Sequence, residues 1–301
     1  MRVLHLDAGR EMRGGQWQVV RLIEGLAAAG IESILLARRG APLYQTARAR
    51  GWRVESWGFS KALWLARRCD LVHAHDARSH SLAIIVRAPV VVVARRVAFP
   101  LRSRWKYRRA ARYIAVSEFV KSVLVAGGVP EGKIAVVHDG VPLLELDNGG
   151  LPESVPRVKP LAPANAADPR KGATLALEAA RLACVPLQFS DDLERDLRQA
   201  SLFVYITYSE GLGSAALLAM SAGLPVVASE TGGLREVIQH RTNGLLVENS
   251  AGTIAAAIRE LVERPDFARQ LGCEARRTVE TRFTCDLMVR RTMEVYREVL
   301  A

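Results

Sequence analysis

The sequence predicts an α/β chain of two doubly wound, Rossmann-like domains facing each other across a cleft, with helices at its C-terminal end. Three observations carry this. At 301 residues the chain exceeds the size at which a single hydrophobic core usually stops growing. Short β-rich runs alternate with helical patterns nearly throughout, which is the signature of parallel strands joined by crossover helices. One stretch, PLLELDNGGLPESVPRVKP, breaks that alternation with dense Pro and Gly and no clear period.

Each element follows from its residues. In the first half, strands are expected at RVLHLDA, IESILLA, WRVESW, DLVHAH, PVVVVA, YIAVS and IAVVHD. The helical run QWQVVRLIEGLAAAG ends in Gly30, a residue suited to the left-handed turn past a helix end. Beyond the interruption, strands are expected at VKPLAPA, VPLQFS, SLFVYIT, PVVAS and GLLVE. Helices are expected from Lys171 to Ala183, at DDLERDLRQA, GSAALLAM and LREVIQH, and only helical patterns remain after Ser250. The expected boundaries are 1–142 for the first domain, 143–160 for a linker and 161–283 for the second domain. A final helix over 284–301 is expected to pack back on the first domain.

Composition narrows the function classes. Half of the residues are hydrophobic, ample for two cores. Cys69, Cys184, Cys273 and Cys285 have neither metal-ligand nor CxxC spacing, and MRVLHLDAGR has no apolar segment behind its early arginine, so a reduced, cytoplasmic protein is expected. No apolar run reaches the roughly 18 residues that a membrane span needs. Lys and Arg number 42 against 31 Asp and Glu, and the net charge of +11 favours anionic partners. Between Arg78 and Ser117 there are ten Lys or Arg and no acid, and FPLRSRWKYRRAARY threads aromatic residues among the arginines. That segment is either a solvated basic face or, through residues 101–112, a surface for anionic headgroups with Trp105 and Tyr107 at the interface. Nucleic acid ranks last, because no recognisable nucleic-acid-binding motif accompanies the charge.

In parallel α/β domains ligands bind outside the carboxyl ends of the strands, so motifs placed there carry weight. The first strand ends in DAGREMRGGQWQ. Gly14 and Gly15 let backbone amides approach a phosphate at a helix start, although a tight turn explains them equally well. DLVHAHDARSH puts His73 and His75 on one strand face, but no third ligand stands at telling spacing. A polar strand end lining the cleft is favoured over zinc, and no metal or other cofactor is expected. SLFVYITYSEG is a buried strand running into a loop that carries one carboxylate, Glu210, ahead of a helix. Ser214 serves either as the N-cap or, with the loop amides, as part of a diphosphate cradle at the positive helix end. Beside such a cradle Glu210 is suited to accept hydrogen bonds from sugar hydroxyls.

With these motifs the chain resembles the group 1 glycosyltransferases, a retaining, nucleotide-sugar-dependent family of GT-B fold. The resemblance covers nearly the whole chain. It rests on Gly14-Gly15, DLVHAHD, IAVSEFVKSVLVAGGVPEGKIAVVHDGV and RKGATLALEAARL, and most heavily on SEGLGSAALLAMSAGLPVVASETGGLREVIQHRTNGLLV. It implies that Glu210 meets the donor sugar and that Gly211, Leu212, Gly213 and Ser214 lie against the diphosphate. Lys171 would neutralise that diphosphate, and the loop with Gly14 and Gly15 would close over it. Glu210 and Arg95 are the expected catalytic groups, with His75 and Arg96 on the acceptor side. The implied partners are a nucleotide sugar and a cell-envelope saccharide or lipid-linked acceptor, met at the inner membrane face.

Four departures accompany the resemblance. The family's second glutamate, eight positions after the first, is Leu218 here. Asn165 and Ala166 stand where an arginine usually precedes the Lys-Gly pair, with Arg170 as a substitute from a different place. A strand and loop are missing between VPLQFS and SLFVYIT, and Arg95-Arg96-Val97 replaces a histidine common in relatives. Leu218 opens the alternative of a degenerate, non-catalytic binding or scaffold protein. A nucleotide-sugar 2-epimerase shares the architecture, but the additional acid/base carboxylates it needs are not assignable here.

Overall fold

A computed structural model describes residues 1–101, 104–146, 159–164 and 171–301. Most of the expected linker, together with Asn165, Ala166 and Arg170, lies outside the described residues. The chain divides into two compact units, unit 1 of Met1–Gly140 with Cys285–Ala301 and unit 2 of Val141–Thr284.

Unit 1 contains strands β1 (Arg2–Asp7), β2 (Glu32–Ala37), β3 (Val54–Ser56), β4 (Leu71–Ala74), β5 (Val91–Arg95), β6 (Arg112–Ala115) and β7 (Ile134–Val136). Between them run α1 (Gly14–Ala28), α2 (Pro42–Ala49), α3 (Phe59–Ala66), α4 (Ala77–Ile85), α5 (Arg104–Tyr107) and α6 (Glu118–Ala126). The strands form one sheet in the order β3-β2-β1-β4-β5-β6-β7, and every pairing is parallel. A parallel sheet is covered by helices on both faces, which is why β4 and most of β5 are buried along their length.

Unit 2 repeats the scheme with β8 (Pro160–Pro163), β9 (Gln188–Ser190), β10 (Leu202–Tyr205), β11 (Val226–Ser229) and β12 (Leu245–Val247). Its helices are α7 (Ala173–Leu182), α8 (Leu193–Asp196), α9 (Ser214–Ser221), α10 (Leu234–Val237), α11 (Ala251–Glu263) and α12 (Pro265–Arg282). The sheet order is β12-β11-β10-β8-β9, again all parallel. The stretch DDLERDLRQA is a single helical turn, α8, followed by a 3-10 turn over Leu197–Gln199.

The last helix, α13 (Cys285–Leu300), belongs to unit 1. Its Met288, Val289, Val295 and Tyr296 join Leu22 and Leu26 of α1 in one apolar cluster over Val3, Leu71, Val92 and Ile114 of the sheet. Gly25 makes that approach feasible, since a Cβ there would stand 2.3 Å from Val289 Cγ2. The corresponding core of unit 2 gathers Ala176 and Ala179 of α7 with Leu202 and Val204 of β10 and with Ile254, Ile258 and Leu261 of α11.

In unit 2, α9 is buried from Ala216 to Ser221, and α12 packs on it. The approach is set by glycine. A Cβ on Gly272 of α12 would lie 2.1 Å from the carbonyl oxygen of Gly223 just past α9, and a backbone atom has no rotamer with which to yield. Gly272→Ala therefore costs about 1–3 kcal/mol of stability through overpacking. Gly252→Ala, where a Cβ meets open space in α11, is neutral or slightly stabilising. Urea denaturation of both variants checks the pair.

Candidate functional site

In unit 2 the site forms where β10 ends. Tyr205 is the last residue of that strand and is buried. Its hydroxyl donates to Glu210 Oε2 at 2.5 Å. The Lys171 ammonium reaches the same oxygen at 2.8 Å and the tyrosine oxygen at 3.2 Å. Glu210 Oε1 accepts the amide of Gly211 at 3.0 Å. Burial, and then the carboxylate beside it, hold the Tyr205 phenol well above its usual range, so it serves as a donor and not as a base. Glu210, solitary in the sequence, is thus one member of a Lys-Glu-Tyr cluster. Tyr205 carries no local signal in the sequence, because a tyrosine ending a β-rich run is ordinary core patterning.

The surrounding backbone is fixed by close glycine contacts. Gly172 takes φ +56° at the start of α7, and a Cβ there would meet Ile206 Cγ2 at 2.7 Å. Lys171 is thereby pressed against the end of β10. Gly213 takes φ +106° as the N-cap of α9, and Gly233 packs so tightly that its Cβ would lie 2.0 Å from the Gly211 oxygen. Ser214 is the first helical residue and not the N-cap, a correction of one of the two roles expected for it. An N-cap glycine has no side chain to accept the first amides of the helix, and this leaves an anion-favouring terminus at Gly211, Leu212, Gly213 and Ser214. A closed triangle holds the loop from below. Ser229 Oγ accepts the Thr207 amide at 2.9 Å and donates to Asn249 Oδ1 at 2.6 Å, and Asn249 Nδ2 returns to the Thr207 oxygen at 3.1 Å.

Leu218 lies on α9 with 5% of its surface exposed, so the helix presents an apolar, packed side chain at that position.

In unit 1 the expected residues collect at the ends of β1, β4 and β5. Gly14 and Gly15 are the first residues of α1, and a Cβ on Gly15 would sit 3.9 Å from the Arg96 side chain. Arg96 pairs with Asp139 at 3.1 Å and approaches His75 Nδ1 at 3.4 Å. Arg95 turns the other way, donating to the Tyr107 hydroxyl and to the carbonyl of Phe99, so that it fastens the segment that follows β5. Tyr107, expected at a membrane interface, is instead buried at 6% exposure and stacks near Tyr113. Trp105 is exposed at 52%, with Arg109 over its ring at 5.6 Å.

The partner of His73 and His75 that spacing did not reveal is His5, because parallel register sets His5 directly beside His73. The three rings are buried, with one nitrogen of each within 4.8 Å of the others. Guanidinium only donates, so His75 Nδ1 accepts from Arg96 and the proton of His75 rests on Nε2. That proton points to His5 Nδ1 at 3.0 Å, and His5 Nε2 faces Ser33 Oγ at 3.3 Å. His73 Nδ1 meets the Tyr296 hydroxyl of α13 at 2.6 Å. The three could in principle ligate a metal, but a dication would stand beside the Arg96 charge with no carboxylate in the cluster. A hydrogen-bonded neutral chain that orients Arg96 accounts for the geometry. Two acids complete this end of the sheet. Asp76 accepts the Ala8 amide and caps α4, and Asp7 accepts from Gly9 and Gln16. Burial, with Asp76 nearby, pushes Asp7 up to about 6.

Burial pulls His5 down to about 3 and lowers His73 and His75 as well. A histidine with a depressed folded pKa is protonated first in the unfolded chain. Its contribution is complete above pH ~6.5 and is lost as pH falls toward the folded value. Between pH 7 and 5, His5 accounts for about 2 kcal/mol of lost stability, so His5→Gln should narrow the pH 7-to-5 difference by that amount. Asp7 titrates with the opposite sign in both proteins and cancels in the comparison. An unchanged difference in urea midpoints would contradict the buried neutral assignment.

Comparison with known proteins adds the following. Residues 171–278 match the model for glycosyl transferases group 1, and residues 12–143 match that for glycosyltransferase family 4. The α-maltose-1-phosphate synthase of Mycolicibacterium smegmatis is 36% identical over 112 residues, 35% of this chain and 29% of that protein. A D-inositol 3-phosphate glycosyltransferase of Thermobispora bispora is 36% identical over 104 residues, 34% of this chain and 24% of that one. The matched region thus spans less than a third of these curated relatives. Among solved structures, Anabaena Alr3699/HepE in complex with UDP and glucose superposes with a TM-score of 0.85 at 16% identity, covering 99% of each chain. The sucrose-phosphate synthase of Thermosynechococcus elongatus gives 0.78 at 18% identity over 99% of this chain and 98% of that one. These likenesses establish the fold as GT-B.

Proposed function

The chain belongs to the group 1 glycosyltransferases, and from that premise we propose that it moves a sugar from a nucleoside diphosphate sugar to a cell-envelope saccharide or lipid-linked acceptor, with retention. The observation that carries this reading is the Lys171-Glu210-Tyr205 cluster beside the uncapped start of α9. A diphosphate at that start would gain the first-turn amides and the Lys171 charge, and Glu210 would turn to the sugar hydroxyls. The bond from the anomeric carbon to the phosphate oxygen breaks while one to the acceptor oxygen forms on the same face, and the acceptor proton passes to the leaving phosphate. Lys171 and the amides stabilise the charge that develops on that leaving group. His75 and Arg96 are assigned to the acceptor side, and the four free cysteines suit a reducing cytoplasm.

Isothermal titration with UDP, GDP and ADP and their sugars tests the donor. UDP is the first to try, because the HepE structures hold UDP or UDP-glucose. Lys171→Ala should weaken binding about 10- to 150-fold, the usual worth of one charged hydrogen bond. Glu210→Gln should retain nucleotide binding, since it releases Lys171 toward the diphosphate, while losing sugar transfer. No binding of any nucleotide at millimolar concentration would sink the reading. The non-catalytic alternative is favoured by the buried Leu218. It requires that Glu210→Gln leave cellular function unchanged.

Membrane attachment belongs to the same proposal. No described helix is long and apolar enough to cross a bilayer. Trp105 is exposed with Arg109 over its ring, Arg108 is exposed, and Val97 and Phe99 earlier in the same segment are exposed as well, a combination suited to an anionic lipid surface. The protein should co-sediment with phosphatidylglycerol vesicles at low salt and be released as salt rises. Equal binding to neutral vesicles would argue against an electrostatic anchor.

A further inference from the structure

A second concavity in unit 1 is separate from the residues discussed so far. A cavity of about 400 Å³ opens where β1, β2 and β3 end, lined by Arg10, Arg38, Arg39, Gly40, Ala41 and Trp57. Three of the six lining residues are arginines, and no Asp or Glu is among them. The acids nearest in sequence are engaged elsewhere, Glu11 by Arg13 and Glu55 by Lys61.

The walls are held by backbone. Arg38 Nε donates to the Ala8 carbonyl at 2.7 Å, which fixes the plane of its guanidinium and leaves its terminal nitrogens uncommitted to that bond. Ala41 donates to the Arg38 carbonyl at 3.0 Å, closing a turn in which Gly40 takes φ +80°. The Trp57 amide donates to the Ala37 carbonyl at 2.7 Å and ties the main chain of Trp57 to the end of β2. The same turn delivers the start of α2, whose N-cap is Ala41, without a capping side chain, and whose first residue is Pro42. Three cations and a positive helix end repel one another, and a multivalent anion removes that repulsion. Arginine forks match tetrahedral oxyanions, and an indole beside them suits the apolar face of a sugar or the carbon chain of an ester.

We propose that this cavity binds the phosphate group of a phosphorylated acceptor. The inference deepens the transfer reading and, for the word acceptor, rests on it.

The test is isothermal titration of the full chain with inorganic phosphate, comparing wild type with Arg10→Gln, Arg39→Gln, Arg48→Gln and Lys171→Ala. Arg10 and Arg39 are exposed side chains, so their variants fold. Each should weaken phosphate binding about 10-fold or more. Arg48→Gln, which removes an equal charge from α2 outside the cavity, should leave it unchanged, whereas Lys171→Ala should remove only the phosphate held at the start of α9 and keep the Arg39-dependent part. Absence of saturable binding, equal loss in Arg48→Gln, or loss confined to Lys171→Ala would overturn the proposal. Phosphatidylcholine vesicles with and without phosphatidic acid separate the sources. Arg39-dependent capture by phosphatidic acid at low salt assigns a lipid headgroup, and binding of inorganic phosphate without such capture assigns a soluble ester. UDP titration in parallel keeps the two conclusions apart. A chain that binds UDP but not phosphate loses this site and keeps the transfer reading, and Arg39-dependent phosphate binding without nucleotide binding does the reverse.

Discussion

Both sheets are parallel throughout, and a parallel sheet must be covered on both faces, so burying a polar group there is costly and hydrogen-bonded partners offset that cost. That constraint shapes the rest of the molecule. Strand interiors are mostly apolar, polar chemistry gathers toward the carboxyl ends, and two sets of buried polar groups are organised by hydrogen bonds. The Ser33-His5-His75-Arg96-Asp139 chain in unit 1 and the Thr207-Ser229-Asn249 triangle in unit 2 are two solutions to the same problem. Each fixes the loop that follows a strand, and each loop carries residues of the family motif.

Glycine is the second means of placing those loops. Gly172, Gly213 and Gly233 are small because neighbouring backbone or side chains occupy the space of a Cβ. Their effect is cumulative: Gly172 sets Lys171 against β10, Gly213 turns the chain into α9, and Gly233 presses the following loop onto Gly211. The Lys171-Glu210 pair is partly buried, which keeps its attraction from being screened as a surface ion pair would be. A carboxylate held this way is positioned before any ligand arrives, and the lysine is shared between it and whatever anion occupies the start of α9.

The strands of both units were legible in the sequence because runs of Val, Ile and Leu bounded by Gly, Pro or acid have few other interpretations in an alternating chain. The Lys171, Glu210 and Gly211 to Ser214 segments were legible for a different reason, through family resemblance. Partners supplied from elsewhere in the fold were not legible in the sequence. Tyr205 and His5 carry no local signal, since a tyrosine at a strand end and a histidine between leucines are compatible with plain packing. Tyr107 misled in the opposite direction. Its place among arginines suggested an interface, but a ring stacked near Tyr113 and bonded to Arg95 belongs to the core.

The amino-acid sequence by itself determined the α/β class and the two sheets, because periodicity and local turn chemistry depend only on neighbours along the chain, and its motifs carried the resemblance to the glycosyltransferases. The tertiary structure alone decided that Glu210 is paired, that the distant His5 joins His73 and His75 in one buried cluster, that α13 closes the core of unit 1 and that Arg10, Arg38 and Arg39 line one cavity. Those facts depend on register between strands and on which helix covers which face. Register is a long-range property: it joins residues such as His5 and His73, far apart in the chain and side by side in the sheet.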